Sequence, residues 1–319
     1  MTNSIAFLFP GQGSQAVGMG KELAEKYPVA RQTFEEADTA LGMALSRLCF
    51  EGPEDELRRT EITQPSILTV SIATWRVLSE QGVKAAWVAG HSLGEYSAHV
   101  AAGTLSFADA VRTVRNRGRY MQEAVPAGVG AMAAILGMEA EKVREICEQA
   151  AQGEVCEAAN MNSPEQIVIS GHKAAVERAV ALATAQGAKK AVLLPVSAPF
   201  HCSLMLPAQE RLAKDLNSLQ IQNSTTPVMC NADAEFVETA EASRDALVRQ
   251  VTGTVRWDEC VRALIAKGAE TFVEVGPGKV LWGLMRQIDR SKTSWQTSEV
   301  AALQKTLLGL LSPSAQHGG

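Results

Sequence analysis

The sequence has no long apolar run, no excess of basic residues and no start typical of a secreted protein. No run approaches the ~18 consecutive apolar residues of a membrane-spanning helix. The formal net charge is -5 at pH 7, and no basic stripe of the kind that binds nucleic acid offsets it. The stretch from Met1 to Pro10 lacks a cationic segment, and its apolar run is too short for a secretory signal. We therefore expect a cytoplasmic protein that binds neither nucleic acid nor a membrane.

The six cysteines form no metal-binding pattern. There is no C-x-x-C pair, and no histidine stands at the spacing of a metal ligand. The glycine-rich stretch "PGQGSQ" (10–15) lacks the G-x-G-x-x-G or G-K-[ST] spacing of loops that bind nucleotides. We expect reduced, mostly buried thiols, no metal site and no bound cofactor.

What the sequence does contain is an alternation of short apolar runs and longer helical patterns. This alternation is typical of an α/β protein with a largely parallel sheet. Strands are expected at "IAFLF" (5–9), "AAWVAG" (85–90) and "ETFVEV" (270–275). Helices are expected in "KVLWGLMRQI" (279–288) and over residues 20–42, 65–81, 93–102, 107–124, 205–217, 242–251, 257–267 and 298–311.

The rhythm changes between residues 128 and 198. There the order of patterns is β-α-β-β-α-β, which is the order of a ferredoxin-like unit. We predict a small subdomain over 128–198, inserted into a large α/β domain that comprises 1–127 and 199–311. The tail, residues 312–319, is expected to be disordered.

The stretch "GHSLG" (90–94) lies between a predicted strand and a predicted helix. A G-x-S-x-G in this setting is typical of a nucleophile elbow, in which glycines avoid clashes in a tight turn. The start of the helix then favours a developing negative charge beside the serine. An ordinary turn between strand and helix is the alternative. The elbow predicts Ser92 as a nucleophile in a large domain that is α/β-hydrolase-like.

An activated serine needs a base, and the chain has five histidines. His201 is the candidate that remains after the other four are assigned elsewhere: His91, His99, His172 and His317. α/β-Hydrolases place an acid between the serine and the histidine, yet the only aspartate in that interval is Asp109, at the start of a predicted helix. The glutamates of the interval are assigned to helix surfaces or loops. We therefore expect a Ser92–His201 pair whose imidazole is oriented by a neutral group.

Arg117 lies on the apolar stripe of the helix predicted over 107–124. The stripe includes Ala110, Val114 and Met121, and an arginine is rarely buried without a partner. An internal salt bridge or a snorkelling side chain would explain it structurally. The alternative is a substrate carboxylate, which a guanidinium binds with two parallel hydrogen bonds.

Five further positions allow both a structural and a functional interpretation. The backbone N–H groups of Gln12 and Leu93 could form an oxyanion hole, although "PGQGSQ" could also be a simple turn. Gln64 precedes a proline suited to the first turn of a helix, so that capping explains it. Asn160 and Asn162, at the end of a predicted strand, could donate to a carbonyl or form a turn.

Together these stretches resemble the bacterial malonyl-CoA:acyl-carrier-protein transacylases and the acyltransferase domains of polyketide synthases. The resemblance extends over nearly the whole chain, in the order of the family, and includes the small subdomain. Its motifs are "FPGQGSQ" (9–15), "TQP" (63–65), "GHSLGEY" (90–96), "RGRYMQEAVP" (117–126), "NSPEQIVISG" (162–171), "VSAPFHCSLM" (196–205), "LVRQVTGTVRW" (247–257) and "EVGPGKVL" (274–281).

The resemblance implies a role for each site residue. Ser92 would accept the acyl group and His201 would be its base, held by the backbone carbonyl of Gln250. Arg117 would bind the free carboxylate of malonate, and the amides of Gln12 and Leu93 would form the oxyanion hole. Phe200 fits family members that accept malonyl and exclude α-branched units. The remaining substrate contacts would be Gln64, Met121 and Asn162.

The implied reaction is ping-pong transfer of malonyl from malonyl-CoA to the phosphopantetheine thiol of an acidic acyl carrier protein, in fatty acid biosynthesis. We expect a monomer with a basic patch for the carrier, formed by Lys189, Lys190, Arg115 and Arg119. The transacylase of malonate decarboxylase and a stand-alone polyketide acyltransferase share the chemistry. A serine thioesterase or a non-catalytic docking module for the carrier would differ from it.

Overall fold

The computed structural model describes residues 4–196 and 198–312. In these ranges the strands are β1 (Ile5–Phe9), β2 (Trp87–Gly90), β3 (Gly130–Leu136), β4 (Cys156–Ser163), β5 (Gln166–His172), β6 (Lys190–Leu193), β7 (Val228–Met229), β8 (Phe236–Val237), β9 (Thr271–Glu274) and β10 (Thr293–Gln296). The helices are α1 (Lys21–Lys26), α2 (Pro28–Leu41), α3 (Leu45–Glu51), α4 (Glu54–Leu57), α5 (Thr60–Glu80), α6 (Gly94–Ala101), α7 (Phe107–Glu123), α8 (Ala140–Ala151), α9 (Lys173–Ala185), α10 (Leu206–Ser218), α11 (Ala240–Arg249), α12 (Trp257–Ala266), α13 (Val280–Ile288) and α14 (Val300–Leu311). Within these ranges, no helix has the length and apolar character that crossing a membrane requires.

The larger sheet has six strands in the order β10-β9-β1-β2-β7-β8. The first five are parallel, and β8 is antiparallel to β7. Along β1, Phe7 and Phe9 contribute to one hydrophobic core, whereas Ala6 and Leu8 contribute to another. Successive side chains of a strand point to opposite faces, so this alternation shows that both faces of the sheet are covered. The predicted α/β fold is confirmed.

The smaller sheet has four antiparallel strands in the order β4-β5-β3-β6. Its chain order, β3-α8-β4-β5-α9-β6, is the predicted β-α-β-β-α-β order. One face packs with α8 and α9 around its own apolar core, and the other face carries Met132 and Val168 towards the core of the larger sheet. The segment at Val255 pairs with β4 and so joins the two parts of the molecule. The division at residues 128 and 198 stays a prediction.

The register between β1 and β2 determines where the candidate site lies. Phe9 pairs with Gly90, so β1 and β2 end side by side. The loop after β1 and the turn after β2 therefore lie at the same edge of the sheet, where parallel strands commonly present functional residues.

The structure corrects several predicted boundaries. The helix predicted over 20–42 is divided into α1 and α2 at Tyr27, because the residue before a proline is restricted to extended backbone and Pro28 begins a new helix. The helix predicted from residue 65 begins at Thr60, and Pro65 lies inside it, because burial of nearly the whole helix outweighs the lost hydrogen bond. Strands β7 and β8 were missed, since two residues leave no periodic pattern. Of the predicted tail, residues 313–319 lie outside the described residues.

Candidate active site

Ser92 occupies a tight turn between β2 and α6. Its φ of 52° lies in the left-handed region, which costs a residue other than glycine about 1–3 kcal/mol. The flanking glycines are required by close contacts: a Cβ on Gly90 would lie 1.9 Å from the carbonyl carbon of Gly94, and one on Gly94 would lie 2.0 Å from the carbonyl oxygen of Phe9. The turn therefore has the geometry that the elbow motif predicts.

Asn231, which follows β7, holds this turn in place. Its side-chain oxygen accepts from the Ser92 backbone N–H at 2.7 Å, and its amide donates to the Gly90 carbonyl at 2.7 Å. The sequence did not point to this residue because β7 is too short to leave a recognisable pattern. The signal that could have found it is a polar residue at the end of a strand beside β2, and that signal needs the sheet order.

The hydroxyl of Ser92 lies 2.6 Å from Nε2 of His201, and Nδ1 of His201 lies 3.0 Å from the backbone carbonyl of Gln250. A carbonyl only accepts, so Nδ1 carries the proton and Nε2 accepts from the hydroxyl. Burial, reinforced by the charge of Arg117, lowers the pKa of His201 to about 3. The imidazole is therefore neutral near pH 7, the state in which it can take a proton.

Arg117 is buried, and its guanidinium contacts neutral groups. It donates to the side-chain oxygens of Gln64 at 2.9 Å and Gln250 at 3.0 Å, and to the Ser92 hydroxyl at 3.2 Å. Among the described residues, no carboxylate lies in ion-pair distance of it, so the salt bridge that the sequence left open is not formed. The next residue, Gly118, allows this arrangement, because a Cβ there would lie 2.6 Å from the carbonyl of the first residue of α5.

The capping interpretation of Gln64 is wrong. Because α5 begins at Thr60, Gln64 lies inside the helix, buried, with its side chain facing Arg117 and 4.0 Å from the sulfur of Met121. An amide oxygen inside the fold is a suitable partner for a buried guanidinium that has no carboxylate.

The reacting groups open into a cavity of about 840 Å³ between the two sheets. Met132 and Val168 of the smaller sheet form part of its wall. Among the described residues, the backbone N–H groups of Gln12 and Leu93 have no hydrogen-bond acceptor. All the predicted substrate contacts line the cavity: Gln12, Leu93, Arg117, Gln64, Met121, Asn162 and Phe200.

Asn162 is held by the histidine that precedes the nucleophile. Its side-chain oxygen lies 2.7 Å from Nε2 of His91, whose ring packs against Trp257 at a centroid distance of 5.4 Å. The oxygen of Asn160, which also lines the cavity, has no hydrogen-bond partner within the described ranges. The Asn162 amide is thus oriented by His91, whereas the Asn160 oxygen is buried without a partner among the described residues.

Glu95 is the residue that the sequence analysis placed wrongly. It was assigned with other glutamates to a surface or loop, yet it is fully buried in α6. One of its oxygens accepts from the Gln250 amide at 2.7 Å and from the Asn231 backbone N–H at 3.0 Å. Burial raises its pKa to about 7. The signal for its burial is that α6 is buried on every side.

The six cysteines all lie inside the fold. Each of the six is a buried free thiol. Cys202, the neighbour of His201, donates to the Pro199 carbonyl at 3.2 Å, and burial raises the pKa of its thiol to about 11. In the part of the chain that the structure describes, no cluster of metal-ligating side chains is present.

Comparisons with known proteins agree in one family. A family model described as acyl transferase domain matches residues 6–314. The malonyl CoA-acyl carrier protein transacylase of Salmonella typhimurium is 51% identical over 303 residues, which are 95% of this chain and 98% of the relative. The solved structure of the malonyl CoA-acyl carrier protein transacylase from Coxiella burnetii has a TM-score of 0.95 at 43% identity, with 97% of this chain and 98% of that chain covered. A malonyl-transacylase solved in complex with its type II polyketide acyl carrier protein has a TM-score of 0.93 at 46% identity, with 95% and 99% covered.

Proposed function

This chain belongs to the acyl transferase family, and from that premise we propose that it transfers malonyl from malonyl-CoA to the phosphopantetheine thiol of an acyl carrier protein. The observation that carries the proposal is the position of the Ser92 hydroxyl. It lies 2.6 Å from an imidazole nitrogen and 3.2 Å from a buried guanidinium. A base and a site for a carboxylate therefore meet at one nucleophile, as transfer of an acyl group with a free acid end requires.

The first half of the reaction loads the serine. Nε2 of His201 takes the hydroxyl proton as Ser92 Oγ attacks the thioester carbonyl of malonyl-CoA. The carbonyl oxygen becomes an oxyanion, which the backbone N–H groups of Gln12 and Leu93 stabilise, each donor contributing about 3 kcal/mol. The carbon–sulfur bond then breaks, and the CoA thiolate takes the proton from His201.

The second half reverses these roles with a new thiol. His201 takes the proton of the phosphopantetheine thiol, whose sulfur attacks the malonyl–serine ester, and Ser92 leaves with the proton returned to its oxygen. The carbonyl of Gln250 keeps Nδ1 protonated throughout, so the tautomer that the base needs is restored after each half-reaction.

Arg117 would select the malonyl group. Its contacts to Gln64 and Gln250 fix the plane of the guanidinium without neutralising it. A malonyl carboxylate would pair with the guanidinium directly, whereas an acetyl group leaves it without a carboxylate in contact. Phe200 and Met121, on the cavity wall, would restrict the space at the α-carbon.

The carrier would approach over β6, the exposed edge of the smaller sheet. Lys190 begins this strand, Val192 and Leu193 are exposed on it, and the chain continues into Leu194 on the cavity wall. Lys189 is 3.6 Å from Glu165 in an exposed ion pair, which is weak enough to exchange for an acidic carrier. Arg119 is exposed on α7.

The test is intact-mass measurement, first with malonyl-CoA alone and then after addition of holo acyl carrier protein. We expect one malonyl adduct on the protein, which disappears as the carrier gains the same mass. Ser92→Ala should give no adduct, and Cys202→Ala is the matched control that should load normally. An adduct on Ser92→Ala would assign the nucleophile elsewhere.

The same experiment separates the rival reactions. A thioesterase would release free malonate and leave the carrier unmodified, and a docking module would form no adduct. The cytoplasmic location, the monomeric state and the lack of a cofactor stay predictions.

A further inference from the structure

The buried carboxylate of Glu95 is linked by hydrogen bonds, through Gln250 and Asn231, to the residues that the mechanism uses. Glu95 accepts two hydrogen bonds at one oxygen, from the side chain of Gln250 and from the backbone of Asn231. Asn231 holds the Ser92 backbone, and Gln250 contacts both Arg117 and His201. The inference that follows rests on the proposed transfer reaction.

The hydrogen bonds of Gln250 allow only one orientation of its amide. Its nitrogen donates to the Glu95 carboxylate at 2.7 Å and to the Ser92 carbonyl at 2.9 Å, and its oxygen accepts from Arg117 at 3.0 Å. A flipped amide would face two acceptors with an oxygen and the guanidinium with an N–H group. The carboxylate and the Ser92 carbonyl therefore together determine which end of the amide meets Arg117.

The same carboxylate gives Arg117 a counter-charge that does not touch it. The attraction of Glu95 opposes the burial that lowers the pKa of the guanidinium. Gln250 stands between the two charges, so Glu95 supports the charged form of Arg117 while, among the described residues, no carboxylate pairs with the guanidinium directly. A direct ion pair would compete with the substrate for that position.

We propose that Glu95 is a positioning residue, which orients the Gln250 amide and the Asn231 backbone and thereby aligns Arg117, His201 and Ser92 for acyl transfer. It touches neither the substrate nor the reacting atoms. Its effect belongs to kcat rather than to binding, because it aligns the reacting groups and is absent from the cavity wall.

A pH profile tests this role, because a residue with a merely structural role would not change the pH dependence of the loading rate. Protonation of Glu95, whose pKa burial raises to about 7, removes the counter-charge and weakens the two hydrogen bonds that its Oε2 accepts, so loading should decline below about pH 7. The titratable or charged groups that face Glu95 are Arg117 on α7, Tyr96 and His99 on α6, Cys230 after β7 and Cys260 on α12. Burial lowers the pKa of His99 to about 3 and raises the pKa values of Tyr96 and both thiols, so none of them titrates near pH 7.

Two variants distinguish the effect of the charge of Glu95 from the effect of its side-chain length. Glu95→Gln keeps the size and removes the charge, so that it imitates the protonated residue at every pH. We expect an about 100-fold lower kcat for malonyl loading, a KM within about threefold of the parent and no acid limb between about pH 5.5 and about pH 8. Glu95→Asp keeps the charge and shortens the reach to Gln250, so it should lower kcat and keep an acid limb.

Glu274 offers a matched control. It is the second buried glutamate whose pKa burial raises to about 7, but it accepts from the backbone N–H groups of Leu281 and Trp282 at the start of α13. Glu274→Gln should therefore keep the acid limb of the parent protein.

The measurement is the rate of malonyl–protein formation by intact mass across this pH range, with urea unfolding to verify folding. Parental kcat or an unchanged acid limb in Glu95→Gln overturns the proposal, as does loss of the limb in Glu274→Gln. If Glu95→Gln does not fold, the kcat of Glu95→Asp is the test, and a parental kcat overturns the proposal. If neither variant folds, a loading rate of the parent protein that does not change across the pH range overturns it. Absence of any adduct on the parent protein would instead contradict the proposed function.

Discussion

The two sheets bury polar side chains very differently. At the end of β2 in the larger sheet, Glu95, Arg117, Asn231 and Gln250 are all buried and joined by hydrogen bonds. The core between the smaller sheet and its two helices, α8 and α9, consists of apolar side chains such as Ile135 and Ile169. One region depends on directed hydrogen bonds and the other on packed volume.

This difference predicts how each region tolerates change. A buried polar network loses its function when one member loses a partner, because each remaining group is then unsatisfied. An apolar core tolerates substitutions that conserve its volume. The larger sheet would therefore hold the chemistry, while the smaller sheet provides a wall for the cavity and, as proposed above, would offer an edge to the carrier.

The largest effect is expected at the elbow. Gly94→Ala would place a Cβ 2.0 Å from the Phe9 carbonyl oxygen, so the turn that presents Ser92 cannot form as it stands. We expect no malonyl adduct by intact mass and an unfolding free energy lower by about 3 kcal/mol or more. Gly153→Ala is the control: its φ, unlike that of Gly94, is positive, at 90°, but a Cβ there would meet no atom within 4 Å. Normal loading by Gly94→Ala would show that the close contact is not required.

The next effect concerns the buried cation. Arg117→Ala should lower kcat/KM for malonyl-CoA about 100- to 1,000-fold, since a partner of a buried charge pair contributes about 3–4 kcal/mol. Transfer from acetyl-CoA should change far less, because acetyl has no carboxylate to lose. Arg112→Ala, on the exposed side of the same helix, should alter neither rate. Equal losses for both substrates would contradict the carboxylate assignment.

The comparison also explains what the sequence could predict. Ser92 and His201 could be predicted as a pair, and the structure places them in contact, because the elbow has a fixed spacing and few histidines exist. The burial of Arg117 could be predicted because a charge on an apolar stripe breaks the helical pattern. Glu95 and Asn231 were missed because their roles depend on contacts between distant segments of the chain. Asn231 is 136 residues from Glu95 and 139 residues from Ser92. Local periodicity carries no information on such contacts.

The same reasoning applies to the fold. Long elements such as α7 were predicted to within a residue, because many periodic positions define them. The start of α5 was misplaced because a local signal, the proline, was weighed without knowledge that tertiary packing would bury the whole helix. The order of the strands in each sheet, which brings Asn231 beside the elbow, is not encoded in any single segment.

A smaller effect is expected at the edge of the smaller sheet. Reversing the charges of Lys189 and Lys190 to glutamate should raise the KM for the acidic carrier about tenfold and leave loading from malonyl-CoA unchanged. The physical reason is repulsion of the carrier at the β6 edge, remote from the hydroxyl of Ser92. Reversal of Lys173, an exposed residue at the start of α9, is the matched control. Slower loading from malonyl-CoA with an unchanged KM for the carrier would contradict a role of Lys189 and Lys190 in binding the carrier.

The smallest effect separates the two faces of one strand. Val168 and Ile169 are neighbours on β5, but Val168 lines the cavity and Ile169 packs in the apolar core with α8 and α9. Ile169→Val should lower the unfolding free energy by about 1 kcal/mol and leave kcat and KM unchanged, because it removes one methylene far from the reacting groups. Val168→Ala should change the KM for malonyl-CoA about twofold to threefold through lost contact area in the cavity. Urea unfolding measures the effect of each variant on stability, and initial rates measure its effect on kcat and KM. A change of kcat in Ile169→Val would show that the smaller sheet contributes to the chemistry beyond providing a wall of the cavity.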